Sequence, residues 1–143
     1  MTFTPSSITN GSYTATVSNA VKDLAGNSLA QNYSWSFEIN WVGTKQLGTS
    51  SRDYAYGVAT DTSGNVYVTG STGGGLDGNT SAGSDDLFVV KYDRSGIKQW
   101  TKQLGTSSND YARGVATDSS GNVYVAGYTY GGLDGSTNSG SAD

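Results

Sequence analysis

The sequence predicts an all-β protein, on three observations. Glycine accounts for 21 of 143 residues while proline and glutamate occur once each. Counted with the apolar residues, this glycine lifts a hydrophobic share of 34% to about half the chain, an ordinary value for a globular protein. Ser, Thr, Asn, Val and Tyr are plentiful, the mixture that short pleated strands and tight turns require, and no segment sustains a helical period. The third observation is a passage written twice. "KQLGTSSRDYAYGVATDTSGNVYV" from Lys45 returns as "KQLGTSSNDYARGVATDSSGNVYV" from Lys102, an offset of 57 residues. Residues 45–86 align with 102–143 without a gap, and about 32 of the 42 pairs are identical. A fixed internal period marks one supersecondary unit stacked on copies of itself.

Residues 12–19 (SYTATVSN) and 33–39 (YSWSFEI) alternate polar and apolar side chains as half-buried strands do, and residues 21–32 between them form a turn-rich crossover. Residues 40–48 (NWVGTKQLG) copy the later segment WTKQLG, although Trp41 stands two residues further from KQLG than Trp100 does, so a strand here would bulge or pair differently. The repeat proper then offers four strand-like runs, at residues 54–61, 65–72, 87–93 and 97–104. Thr62-Ser63-Gly64 joins the first two and Arg94-Ser95-Gly96 the last two, each after an Asp. Asp118-Ser119-Ser120-Gly121 repeats the form. An Asp carboxylate accepts backbone N–H groups in an Asx-turn and Gly takes the positive φ that closes the hairpin. A calcium loop of the EF-hand kind also opens on Asp, but its further oxygen ligands and distal Glu are missing here. Between the hairpins lies a long polar loop, residues 73–86.

Four antiparallel strands in a unit of this length describe a β-propeller blade. The strings GVATDxSGNVYVxGxT, LFVVKYDRSG and WxKQLG resemble the seven-bladed β-propeller (SBBP) repeat of bacterial surface and secreted proteins, from Trp41 to Asp143. The resemblance implies a toroid with GVATD nearest the central channel and WxKQLG outermost. The string YTATVSNAVKDLAGNSLAQNYSWSF resembles the C-terminal part of bacterial Ig-like domains, where DxxGN precedes a final WSF strand. The expected architecture is therefore partial Ig-like sandwich strands (1–40) followed by SBBP-type blades (41–143). Blade 1 covers about 54–104, an incomplete blade 2 about 111–143, and 41–48 supplies an outer-strand copy. Two blades are fewer than a ring needs, so the sequence reads as a fragment of a longer array. The partial sandwich is expected to leave aromatic surface exposed or to borrow cover from the propeller strands.

The chain has no His and no Cys, which removes the commonest general base, the strongest nucleophile, disulfides and thiolate metal sites. Net charge is −4 and the eight cations are scattered singly, against nucleic-acid binding. No apolar run is long enough to span a membrane, and no signal-peptide pattern opens the chain. Glu38 has no carboxylate neighbour in sequence. Asp53, Asp61 and Asp77 recur as Asp110, Asp118 and Asp134, as turn-holding residues would. No catalytic, cofactor or metal residue is therefore assigned. The long loop allows one metal reading, calcium held by Asp77, Asp85 and Asp86, which the replacement of Asp85 by Ala142 weakens; the rival reading is a glycine-rich excursion on the rim.

Differences between the copies supply the remaining candidates. Thr69/Ala126, Ser71/Tyr128 and Gly73/Tyr130 vary while Gly70 and Thr72 between them do not, a period of two that marks one strand face. The fixed positions are expected to meet the neighbouring blade and the varied ones to lie toward a loop or rim. Tyr128 and Tyr130, with Tyr56/Arg113 and Arg52/Asn109, form a candidate contact surface, against a background reading of surface drift; aromatics and Arg dominate binding hot spots.

The functional expectation is a non-enzymatic scaffold, spacer or adhesion module of a modular bacterial surface or secreted protein, with a protein or glycan partner. Two alternatives stand beside it. One is a carbohydrate-binding or carbohydrate-cleaving propeller whose site lies in blades outside this chain. The other is a self-associating unit that completes a ring from several copies through open sheet edges.

Overall fold

A computed structural model describes residues 11–39, 41 and 43–143. They form two compact units, one ending at Gly43 and one spanning Thr44–Asp143, and all regular structure is β apart from two single 3-10 turns.

The first unit is a hairpin of β1 (Gly11–Val17) and β2 (Tyr33–Ile39), antiparallel with Tyr13 opposite Phe37, Ala15 opposite Trp35 and Val17 opposite Tyr33. The alternation read in the sequence sorts the side chains: these three pairs share one face, while Thr14–Ser36 and Thr16–Ser34 share the other and join hydroxyls at 2.9 and 2.7 Å. Tyr13 and Phe37 stack at 5.7 Å. Among the described residues of this unit no further strand pairs with the hairpin, and Tyr33, Trp35 and Phe37 are about half exposed.

The second unit holds one complete four-stranded sheet in the order β3 (Asp53–Thr60), β4 (Val66–Thr72), β5 (Asp86–Tyr92), β6 (Lys98–Leu104), and a two-stranded sheet of β7 (Asp110–Thr117) and β8 (Val123–Thr129). All neighbours are antiparallel. β3 and β4 shift register between Ala55 and Gly57, leaving Tyr56 as a bulge residue; β7 and β8 shift identically at Arg113. These are one four-stranded blade and the inner strands of a second.

Three of the connecting turns use one device, and the hairpin unit uses it too. Asp61 Oδ1 accepts the N–H groups of Ser63 and Asn65, and its Oδ2 accepts the Asn65 side-chain amide at 2.7 Å. Asp118 with Asn122, and Asp23 with Asn27, repeat the pattern, with Gly64, Gly121 and Gly26 at φ +79, +84 and +87. At the Asp93 turn the Gln99 amide replaces the Asn. These bonds favour the carboxylate, and Asn65 chiefly lowers the Asp61 pKa to about 2. A second carboxylate device anchors the strand starts. Asp53 accepts the Thr49 N–H at 2.6 Å and the Thr72 hydroxyl at 2.5 Å; Asp110 repeats this with Thr106 and Thr129. Asp86 takes the Ala82 N–H and the Gln103 amide, each at 2.8 Å.

These contacts correct the reading of the invariant positions in β4. Gly70 is fixed by its own blade, since a Cβ there would overlap the Tyr54 carbonyl of β3, as one on Gly127 would overlap that of Tyr111. Thr72 is fixed by its bond to Asp53. The varied Thr69 and Ser71, expected at a rim, are fully buried, and Thr69 donates to the Phe88 carbonyl at 2.6 Å. Residues 44–49 form no strand, contrary to the expected outer-strand copy: a strand exists only with a ladder partner, and β5, the partner of the equivalent β6, is already paired on both edges.

Blade 2 lies against blade 1, with β7 facing β3, β4 and β5. Thr117 donates its hydroxyl to the Thr60 carbonyl at 2.8 Å, and the Asp110 N–H reaches the Asp85 carbonyl at 2.7 Å. The repeat makes the effect of covering visible. Ala112 on β7 is 0% exposed, while its counterpart Ala55, with no blade in front of it, is exposed. Tyr67, closed in by Trp100 and Lys91 of the outer strands, is 2% exposed; its counterpart Tyr124 is 58% exposed. Enlarging Ala112 to Leu is therefore expected to destabilise the unit by about 1–3 kcal/mol through overpacking. The same change at Ala55 is expected to cost less than about 0.5 kcal/mol, both read from urea denaturation midpoints.

Candidate functional site

Three of the positions that differ between the copies, 56/113, 71/128 and 73/130, contribute to one strip across the joint of the two blades. Its centre is Arg113, which the bulge in β7 turns out of the ladder. Its guanidinium lies 4.1 Å from the centroid of Tyr56, the bulge residue of β3, and 5.2 Å from those of Tyr111 and Tyr128. It donates to the Tyr128 hydroxyl at 2.7 Å. Among the described residues no carboxylate pairs with it. The rings continue in both directions: Tyr54 stacks on Tyr56 at 6.1 Å, Tyr111 packs on Tyr128 at 5.1 Å, and Tyr130 meets Tyr128 edge-on at 5.7 Å. Tyr54, Tyr56 and Tyr130 are 50, 39 and 45% exposed. The strip thus presents ring faces and a guanidinium to solvent. Bonding to Tyr128 raises the Arg113 pKa further, so the cation persists at any ordinary pH.

A second cluster buttresses the strip from beneath. Arg52 makes a two-pronged bond to Asp85, Nε to Oδ1 and Nη2 to Oδ2, each 2.9 Å, the planar geometry in which Arg pairs best with a carboxylate. The Tyr111 hydroxyl donates to the same Oδ2 at 2.9 Å. Asp85 is buried while Arg52 remains largely exposed. The bond from Arg52 is the main cause that lowers the Asp85 pKa; burial, then the bond to Asp85, raises that of Tyr111.

Tyr128, Tyr130, Tyr56 and Arg113 come together as the sequence suggested, whereas Arg52 joins them only through Asp85 and Tyr111. The side chain at position 52 or 109 is free to vary because its backbone makes the structural bond: the Arg52 carbonyl accepts the Gly73 N–H, and the Asn109 carbonyl the Tyr130 N–H. Tyr54 and Tyr111 escaped the sequence reading because both copies carry Tyr there, and a comparison of copies sees only differences. The Arg52–Asp85 pair did leave a signal: both members change together, to Asn109 and Ala142.

The three carboxylates weighed for calcium take separate partners. Asp85 holds Arg52 and Tyr111, Asp77 pairs with Lys98, and Asp86 is buried against Gln103 and Ala82. Among the described residues no three acidic side chains group to hold a metal ion. The long loop folds onto β6: Leu76 is buried, its N–H donates to the Gln103 side chain at 2.8 Å, and Gln103 donates back to the Gly74 carbonyl. Glu38 lies on β2 of the hairpin unit, opposite Ser12.

A family model for the β-propeller repeat matches residues 42–77 and 99–134, and a model of a bacterial Ig-like domain matches residues 1–39. A WD repeat-containing protein of Acanthamoeba polyphaga mimivirus is 29% identical over 131 aligned positions, covering 78% of this chain and 9% of the viral protein. The chain therefore spans a small part of that relative's length.

The Arg52–Asp85 pair gives a pH test. An Asp held at a lowered pKa stabilises the fold above its unfolded pKa of about 3.9, and that stability is lost as pH falls through the folded value. Asp85→Asn is expected to be less stable than the parent at neutral pH, and the two melting curves are expected to converge as pH is lowered below about 4. A gap that persists unchanged into that acid range would assign the loss to packing and not to charge.

Proposed function

The chain belongs to the family of β-propeller repeats, joined here to a bacterial Ig-like segment, and from that premise we propose that it is a non-enzymatic recognition and scaffold module of a modular bacterial surface or secreted protein. Residues 1–40 are the Ig-like part and 41–143 the propeller part, and the contact surface is the Tyr–Arg strip over the blade joint. Repeats and Ig-like domains together are structural and interaction units, which supports the class; the strip supports the mode. The carrying observation is that Tyr56, Arg113, Tyr128 and Tyr130, each standing where the other copy carries a different residue, assemble into one aromatic patch around a guanidinium.

Rigid rings lose little side-chain entropy on binding, and a guanidinium flanked by rings offers planar hydrogen bonding beside apolar area, the combination that dominates hot spots. A protein loop or a glycan chain at a cell surface fits a shallow, open strip of this kind, whereas a small molecule bound for chemistry is usually enclosed. The family also supports placement outside the cytoplasm.

The test is binding of the purified chain to arrayed bacterial and host surface glycans and to extracellular matrix proteins, beside the variants Arg113→Ala and Tyr130→Ala. Either variant is expected to keep its urea midpoint and to lose at least about tenfold in affinity for whatever the parent binds, about 1.4 kcal/mol. Undiminished binding by both variants would move the contact surface elsewhere.

A further inference from the structure

The strip leaves one charge unanswered, and a hollow beside it supplies the second half of a site. Arg113 lies over the joint between the blades with rings of both around it, Tyr56 at 4.1 Å and Tyr111 and Tyr128 at 5.2 Å. Its Nη2 donates to the Tyr128 hydroxyl, and among the described residues no carboxylate neutralises it. Tyr111 links this cation to the hollow. Its ring lies against Arg113, and its hydroxyl donates to Asp85 Oδ2 at 2.9 Å, the oxygen that Arg52 Nη2 also binds. Arg52, Ser51, Gly73 and Ser84 line an open hollow of about 410 Å³, within the size range of small-ligand sites. Gly73 keeps it open: a Cβ there would meet Arg52 Cγ and Ser51 Cβ at 3.3 Å. Blade 2 carries Tyr130 at that place, and blade 1 carries Tyr56 where blade 2 has Arg113. The pair of features therefore occurs once in the chain, at the joint that the two copies themselves form.

We propose that the ligand of the strip is an acidic glycan, a saccharide chain with a carboxylate on a sugar ring, an inference that rests on the strip being the contact surface. Stacking uses the faces of a guanidinium and leaves its in-plane N–H groups for hydrogen bonds. The carboxylate pairs with Arg113 in that plane, the charge-assisted geometry in which Arg binds carboxylates best, and the flanking tyrosines cover the C–H face of the sugar. Hydroxyls of a neighbouring sugar enter the hollow. There Ser51 and Ser84 donate and accept, and Arg52, which spends Nε and Nη2 on Asp85, donates through Nη1. Charge complementarity selects the acid, since a neutral glycan leaves the Arg113 cation without a counter-charge. The hollow selects the sugar. An acidic peptide brings a backbone that seeks a strand edge and side chains that seek apolar pockets, whereas this hollow offers hydroxyls and a guanidinium. Arg52 adds no second anion site, because Asp85 already neutralises it. The site therefore reads one carboxylate and the hydroxyls beside it.

The experiment is calorimetric titration of the full chain with an oligogalacturonate, a sialic acid-terminated oligosaccharide, the methyl ester of each, and an oligoglutamate. The parent is expected to bind an acidic saccharide and to bind its ester at least about tenfold more weakly. Which of the two it prefers tells a uronate chain from a terminal sialic acid. Esterification changes the ligand alone, so this arm does not depend on how any variant folds. Arg113→Gln is expected to lose at least about tenfold in affinity for the free acid and nothing for the ester. Gly73→Tyr, which sets the blade 2 residue in the hollow, is expected to weaken the oligosaccharide and to leave a single acidic sugar unaffected. Oligosaccharide binding unchanged in Gly73→Tyr overturns the place given to the neighbouring sugar. Failure to bind either acidic saccharide overturns the acidic-glycan assignment, as does equal affinity for acid and ester or preference for the oligoglutamate. The strip survives those results if Arg113→Ala still weakens whatever else the parent binds. Acidic-saccharide binding undiminished in both Arg113→Gln and Gly73→Tyr overturns the strip as its site too.

Discussion

A single antiparallel sheet has two faces and no second layer of its own, so a blade of this protein is dry only where something lies on it, β7 of the neighbouring blade or its own long loop and outer-strand side chains. That constraint explains the pattern of burial better than residue type does. The fully buried set, Tyr67, Thr69, Ser71, Thr72, Leu76, Asp86, Asp110 and Ala112, sits within the complete sheet, in the loop folded onto it, or on the strand pressed against it. Tyr124, the counterpart of Tyr67 one repeat later, stands on the two-stranded sheet β7-β8 and is exposed. The hairpin of the first unit sorts its side chains in the same way, with one hydroxyl face and one aromatic face whose rings are about half exposed.

Because stacking supplies the core, the turns have to hold their shape without one, and carboxylates provide the hold. Each DxxGN loop closes on its own Asp, whether in the Ig-like hairpin or in the blades, and each strand start at Asp53, Asp86 or Asp110 is pinned by an N–H four residues earlier. The charges are satisfied locally by backbone amides, hydroxyls and side-chain amides, so a chain with few cations tolerates them. Local clamping also separates frame from surface. Gly70 is held by the Tyr54 carbonyl and Thr72 by Asp53, while Tyr128 and Tyr130 of the second copy, with the bulge residues Tyr56 and Arg113, build the Tyr–Arg strip.

The fold was legible to a high degree because a repeat repeats its physics. The Asp-x-Ser-Gly turns, the strand-like runs between them and the second copy all pointed to the same sheet, and strand bounds fell within a residue or two. The strand read in residues 41–48 failed for a reason outside the segment itself, since pairing depends on a partner edge that its own sequence does not contain. The strip was half legible. Differences between copies found Tyr56, Arg113, Tyr128 and Tyr130, but they were silent on the shared Tyr54 and Tyr111, and they placed Thr69 and Ser71 at a rim when blade stacking buries both. The pairing of Arg52 with Asp85, 33 residues apart, was written in their joint replacement.

The measurement that bears most directly on the stacking constraint is hydrogen–deuterium exchange on the full chain and on a chain ending at Gly105, which keeps all four strands of blade 1 and removes the blade that covers it. If stacking supplies the core, amides of Thr69–Ser71 and Phe88–Val90, inside an unchanged ladder, lose most of their protection when residues 106–143 are gone. Equal protection in the two chains would mean that one blade is dry by itself and that stacking does not supply the core.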